Sequence, residues 1–372
     1  MKIIQLVILV SCVATSIASV KSSQASCNHL FRITSAHPNP PGSAMAVTMK
    51  WGLMDCNGKI VVNPVYEGLG EDIFPYEPEA DSDVGVLIKG KDSFIVDVFG
   101  NIRELRDIVI ESEFSEGYAV ARKGKNLVLI NKKGVPKINL TEKYGSQIEG
   151  VGTFQNGLAV IFLNDGVGFI NTKGEMVIPP KFDHSNGFYD GVAVVVNGGK
   201  VGLINQKGEF VIPPIDDGNV SIADASDGLV KVYKTLPDKD NKISYFDTKG
   251  KLVIEVSGFD YVGDFSEGLV AFEKDGKWGY LNRDGKVAIE PRFEDARDFG
   301  EGLAAVKIGS NWGFIDSNGE IAIAADFSEV ITNFRNGLAY VSKGNRIGYV
   351  NRRGDWVWSR CNISCPNLEN GT

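Results

Sequence analysis

Between Trp51 and Trp358 the chain reads as short apolar runs alternating with polar residues and broken by turns, with no apolar pattern at helical spacing longer than a turn or two. Segments such as Leu158-Ala159-Val160-Ile161-Phe162 and Leu303-Ala304-Ala305-Val306-Lys307 alternate at period two, as half-buried strands do. Shorter strands are expected at Gly168-Phe169-Ile170, Gly202-Leu203-Ile204 and Gly313-Phe314-Ile315, and again at Met176-Val177-Ile178 and Phe210-Val211-Ile212. Residues 277–291 show the unit in compact form: strand, tight turn, strand, then proline. Pro64, Pro179, Pro213 and Pro291 cannot donate to a ladder and are expected to end their strands or mark an edge. A third strand leaves each Phe-x-x-Gly, as at Phe114/Gly117, Phe154/Gly157, Phe188/Gly191, Phe265/Gly268, Phe299/Gly302 and Phe334/Gly337, and a weak fourth is indicated near Phe182 and Phe293.

Superposing the turns exposes a repeat. The turn glycines are Gly58, Gly100, Gly134, Gly174, Gly208, Gly250, Gly285, Gly319 and Gly354, and their spacings of 42, 34, 40, 34, 42, 35, 34 and 35 residues give a period of 34–35 with occasional insertions. Three residues before each glycine stands Asp or Asn: Asp55, Asp97, Asn131, Asn171, Asn205, Asp247, Asn282, Asp316 and Asn351. An Asx side chain there accepts from backbone N–H groups ahead of it, and the glycine takes the left-handed conformation that returns the chain antiparallel. Asp55/Gly58, Asn282/Gly285 and Asp316/Gly319 are representative structural pairs.

The order Trp-Gly, Asx-x-x-Gly, Ile-Pro-Pro and Phe-x-Glu-Gly-Leu-Ala resembles the WG (KWG) repeat over roughly residues 44–358. The Trp-Gly pair itself stands at Trp51-Gly52, Trp278-Gly279 and Trp312-Gly313. Ser93, Leu127, Val167, Val201, Ile243 and Ile347 replace the tryptophan elsewhere, which marks it as a packing position. The resemblance implies a binding or structural module more than an enzyme.

The expectation is therefore an all-β repeat protein of nine antiparallel meander units. One unit cannot bury both faces of its small sheet, so units must stack, either in a closed propeller-like ring or in an open β superhelix. The cysteines favour the ring. With Cys12 in a leader, Cys27 and Cys56 lie at the start of the mature chain and Cys361 and Cys365 at its end, an even set expected to form two disulfides in an oxidising compartment. A bond between the two groups would tie the first unit to the last. The segment Leu30-Phe31-Arg32-Ile33 is expected to be a strand, with the option of completing the final sheet beside Trp356-Val357-Trp358.

The N-terminus places Met1-Lys2 before an apolar run from Ile3 to Ile17 and small residues up to Ser26, the pattern of a secretory signal peptide over 1–26. A strand and Pro-rich linker are assigned to 27–43, the repeats to 44–358 and a Cys-containing tail to 359–372. Leu9-Val10-Ser11-Cys12 resembles a lipid-anchor box but sits very early in the chain. No later segment is apolar for long enough to span a bilayer. The expected location is secreted, periplasmic or cell-surface. A net charge of −8 without a Lys/Arg cluster argues against nucleic acid.

Chemistry is sparse. His29, His37 and His184 stand outside any nucleophile or metal-ligand pattern, so neither catalysis, metal nor cofactor is expected. Insertions near 63–83, 135–153 and 232–242 break the period, and such departures carry binding in repeat proteins. The first contains Glu71, Asp72, Phe74, Tyr76, Glu77 and Glu79, the candidate contact residues for a protein or polysaccharide. The leading expectation is a non-enzymatic interaction scaffold; the competing ones are a propeller glycan hydrolase and a self-associating surface component. Enclosed acids with shifted titration in a central pocket would favour the hydrolase.

Overall fold

The computed structural model describes residues 29–38, 47–66, 84–89, 92–235 and 242–361. These form a nine-bladed β-propeller of antiparallel sheets arranged in a ring. Seven blades have four described strands each, and the first two have three. Blade 7 is representative, with Tyr261–Val262 innermost, then Leu269–Lys274, Lys277–Asn282 and the outer strand Val287–Phe293. Its inner strand hydrogen-bonds only to the second, and each later strand to the one before it. Because successive strands reverse, the turn between the inner and second strands and the Asx turn between the third and outer strands lie at the same end of the ring, here called the Asx end.

The Asx turns repeat with one geometry. Asn282 Oδ1 accepts from the amides of Asp284 and Lys286 at 3.0 Å each, and the Gly285 amide donates to the Asn282 carbonyl at 2.9 Å. Asp55 accepts from Asn57 and Lys59, and Asp316 from Asn318 and Glu320, at 2.9–3.0 Å. Gly58, Gly285 and Gly319 have φ of +83°, +73° and +85°, the region where a Cβ would be strained.

The glycine of Trp-Gly serves another purpose. A Cβ on Gly279 would stand 2.5 Å from the Ile289 carbonyl oxygen, and one on Gly313 2.7 Å from that of Ile323. The outer strand folds tightly over this point because its pairing shifts register there: Trp278 faces Phe293 while Tyr280 faces Ile289. Four outer-strand residues thus oppose two, a bulge that the prolines accommodate. In blades 2 and 6 Phe94 and Ser244 occupy the glycine position, and the ladder passes them without a shift. The prolines therefore mark edge strands, one of their two expected roles, without ending them. Met176–Phe182 and Val287–Phe293 continue through them to a buried phenylalanine.

The core lies between blades. Ile289, Phe293, Phe299, Ala304 and Ile315, from blades 7 and 8, form one cluster, and equivalents recur around the ring. Closure joins blade 9 to blade 1 through side chains: Phe31, Ile33 and Met54 pack with Leu338 and Tyr349. The Tyr349 hydroxyl donates to the Arg32 carbonyl at 3.1 Å, and Arg360 Nε donates to Thr34 Oγ1 at 2.7 Å. The option that residues 30–33 complete the last sheet is not realised. Leu30–Pro38 pairs along its whole length with Val47–Asp55, and blade 9 draws all four strands from 329–361.

Candidate functional site

The predicted contact residues Glu71, Asp72, Phe74, Tyr76, Glu77 and Glu79 lie outside the described residues, as do Cys27 and Cys365 and most of the third insertion. Cys56 sits in the first Asx turn beside the closing cluster of Phe31 and Ile33, and Cys361 ends the last strand. The insertion over 135–153 is not a free loop. It forms the short helix Leu140–Tyr144, capped by Asn139, with Leu140 buried and the Tyr144 hydroxyl donating to Gly174 at 2.7 Å. Those bonds tie it between blades 3 and 4.

Two sets of polar side chains near the axis were not singled out by the sequence reading. The first lies at the turn between the inner and second strands. Glu116, Asn156, Asp190, Asp227, Glu267, Glu301 and Asn336 all have φ between 49° and 54°, a conformation uncommon outside glycine. Six of them reach the next blade. Glu116 accepts from the Gly157 amide, Asn156 from Gly191, Asp190 from Gly228, Asp227 from Gly268, Glu267 from Gly302 and Glu301 from Gly337, at 2.7–3.0 Å. This relay links blades 3 to 9, each blade accepting from the glycine amide of the next. The legible signal was the Glu, Asp or Asn standing before every Phe-x-x-Gly glycine: an acceptor in a left-handed slot.

The second set occupies the residue just before the buried Phe or Ala of that turn and faces the lumen: Asp224, Asp264, Asp298 and Asn333 in blades 6 to 9. The packing residue next to each is Ala225, Phe265, Phe299 or Phe334, all buried, which leaves the preceding side chain on the axial side. Asp224 accepts from Asn186 Nδ2 at 3.0 Å, and its Oδ1 has no partner among the described residues. Asp264 pairs with Lys231 at 3.0 Å. Asp298 makes no hydrogen bond or ion pair among the described residues and is open to the lumen.

The electrostatics of this arc follow from enclosure. Burial pushes the Asp224 carboxyl above its ordinary range, Asp264 adds to the rise and the Asn186 bond opposes it. Burial likewise raises Asp298, with Asp264 adding and Lys231 and Arg297 opposing. Asp298 is wetted by the lumen despite the blades around it, so screening moderates that rise. Buried tyrosines brace the wall from behind: Tyr245 donates to the Gly263 carbonyl at 2.6 Å and Tyr280 to that of Arg297 at 2.8 Å. Arg297 donates to the Ile331 carbonyl at 3.2 Å and lies 5.1 Å from the Trp312 ring centre. Trp312 is 6% exposed, and its packing holds that arginine at the axis.

At the Asx end the lumen widens into a cavity of about 560 Å³ bordered by blades 6 to 9 and by Phe31 of blade 1. Among the described residues no group of three His, Cys, Asp or Glu is placed to hold a metal ion, and no helix is long and apolar enough to cross a membrane.

Comparison with known proteins agrees with this architecture. A crystal structure of the eukaryotic initiation factor superposes with a TM-score of 0.54 at 13% identity, covering 84% of this chain and 93% of that one, a likeness of fold alone. Hsv2 of Kluyveromyces lactis, also 13% identical, covers 77% of this chain and 97% of its own with a TM-score of 0.37, too loose to carry an argument. No curated protein matches the chain in sequence. The family model of the WG containing repeat matches at 51–72, 168–200, 202–215, 243–278, 278–312 and 312–346, from blade 1 to blade 9. The chain belongs to the WG-repeat family, its repeats closed here into a nine-bladed propeller.

Proposed function

We propose that this protein is a secreted or cell-envelope binding scaffold that presents a protein- or polysaccharide-recognising surface at the axis of its ring. One observation carries the reading. The position before the buried turn residue holds polar, lumen-facing side chains in blades 6 to 9, whereas packing positions around it repeat as Phe, Ala, Val or Ile. A repeat fold that needs only to stack has no use for that polarity, whereas a binding surface does.

The extracellular part of the reading rests on the N-terminal Met1–Ser26 pattern and on oxidation. A disulfide at Cys56 and Cys361, at the two ends of the ring, belongs to the same reading and implies an oxidising compartment. Non-reducing mass mapping of the purified protein tests this; free thiols at both positions would remove that support.

A second reading, cleavage of a bound glycan, is favoured by the half-buried Asp224 and the lumen-facing Asp298, whose carboxyls burial by the surrounding blades raises. It ranks second because Asp264, between them along the arc, is occupied by Lys231. The deciding experiment is affinity capture on immobilised envelope polysaccharides and envelope protein extract, with product analysis of every captured glycan. Capture without chain shortening supports the scaffold. Shortening that disappears in Asp298→Asn supports the hydrolase, and no capture from either source refutes the scaffold.

A further inference from the structure

We infer that the cavity at the Asx end of the lumen is a saccharide-binding site, an inference that rests on the scaffold reading and names its ligand class. Its volume of about 560 Å³ lies within the roughly 300–1,000 Å³ of small-molecule sites, but its wall departs from the usual apolar lining. Arg297, Asp298, Asn333 and Arg335 border it, with Phe31 and Tyr349 on the blade 1 and blade 9 side.

The wall offers donors and acceptors together. Asp298 only accepts when ionised, and it has no protein partner among the described residues. Arg335 only donates, is exposed, and makes no side-chain hydrogen bond or ion pair among them. Arg297 spends one nitrogen on the Ile331 carbonyl, and its ring stacking fixes the direction of the rest.

A purely cationic ligand would meet two guanidinium groups, and a purely anionic one would meet Asp298. A hydroxyl both donates and accepts, so a ligand with several hydroxyls on a rigid frame satisfies all of these groups at once. The hydroxyls replace lumen water on Asp298 and Arg335, so neither charge is left enclosed and unpaired when the ligand enters. Phe31 and Tyr349, both buried, close the blade 1 and blade 9 side of the cavity as a rigid floor, so the polar groups make the contacts.

The test is isothermal titration of the full-length mature protein with neutral hexose oligomers, uronate oligomers, N-acetylated amino-sugar oligomers and an oligolysine peptide. One saccharide class is expected to bind at one site per ring. Asp298→Ala is expected to weaken that binding at least tenfold, and the exposed Arg335→Ala to weaken it severalfold with an unchanged Tm. If Asp298→Ala unfolds, Arg335→Ala decides. Binding of oligolysine alone, or saccharide binding that both variants leave intact, overturns the inference. In the second case the scaffold reading survives with its contact elsewhere on the ring, whereas the absence of any captured ligand defeats both.

Discussion

Glu267 gives the sharpest test of how the ring is held. Its carboxylate accepts from the Gly302 amide at 2.7 Å, across the boundary between blades 7 and 8, from a backbone φ of 53°. A hydrogen bond to a charged group contributes about 1.5–3 kcal/mol when shielded, and this one is exposed to solvent, so about 1 kcal/mol is the expected contribution. The left-handed backbone works against it by about 1 kcal/mol for any residue with a Cβ. The two effects separate in a series. Glu267→Ala keeps the strain and loses the acceptor, and should cost about 1 kcal/mol. Glu267→Gly loses the acceptor but relieves the strain, and should cost about 1 kcal/mol less than alanine. Glu267→Gln keeps a neutral acceptor and should fall between wild type and alanine.

Denaturant unfolding gives the totals, and hydrogen exchange at Gly302 gives the local effect, with protection falling in the alanine variant but not at the equivalent Gly157 amide, which Glu116 holds. Alanine and glycine variants of equal stability would remove the backbone strain from the account, and an alanine variant within ~0.3 kcal/mol of wild type with Gly302 still protected would show that stacking alone holds the blades.

Other substitutions probe the remaining pieces. Trp312→Ala removes a 6%-exposed ring and should cost about 3–5 kcal/mol in thermal or denaturant melts, while Trp312→Val should cost less, because Val167 and Val201 fill the same position in other blades. Gly279→Ala should destabilise more than Gly268→Ala. The first drives a Cβ to 2.5 Å from a backbone oxygen, and the second meets open space at φ +82° and should cost only about 1 kcal/mol. Asp224→Asn removes a carboxyl whose folded-state titration is raised by burial. That raised group favours the folded state below the ordinary carboxylate range near pH 4 and loses the advantage as pH rises through its folded value. The asparagine variant should therefore gain stability relative to wild type at pH 7 and show a flatter Tm profile between pH 4 and 7; an unchanged difference across that range would remove the titration from the account.

Much of the ring was legible because it depends on local chemistry. The Asx-x-x-Gly turns need only a side-chain acceptor and a left-handed glycine within four residues, and all nine could be read from the chain. The period, the strand alternation and the packing role of the tryptophan followed from comparing copies of one unit. The second role of proline was hidden, because the bulge over Gly279 exists only when the outer strand is laid against the third. The pairing of residues 30–33 was open for a similar reason: strand hydrophobicity names a strand but not its neighbour.

The axial chemistry depended on the tertiary structure alone. Asp224, Asp264 and Asp298 are separated by 40 and 34 residues, and in the chain each looks like an ordinary acid beside a turn. Closing nine blades into a ring brings their inner strands together, encloses the carboxyls in one another's field and leaves Asp298 facing a shared cavity. The sequence determined the repeating unit, since each turn and strand is specified within a few residues. Which side chains meet at the axis was decided by ring closure, because that depends on how many units stack and at what angle, and no single repeat encodes either.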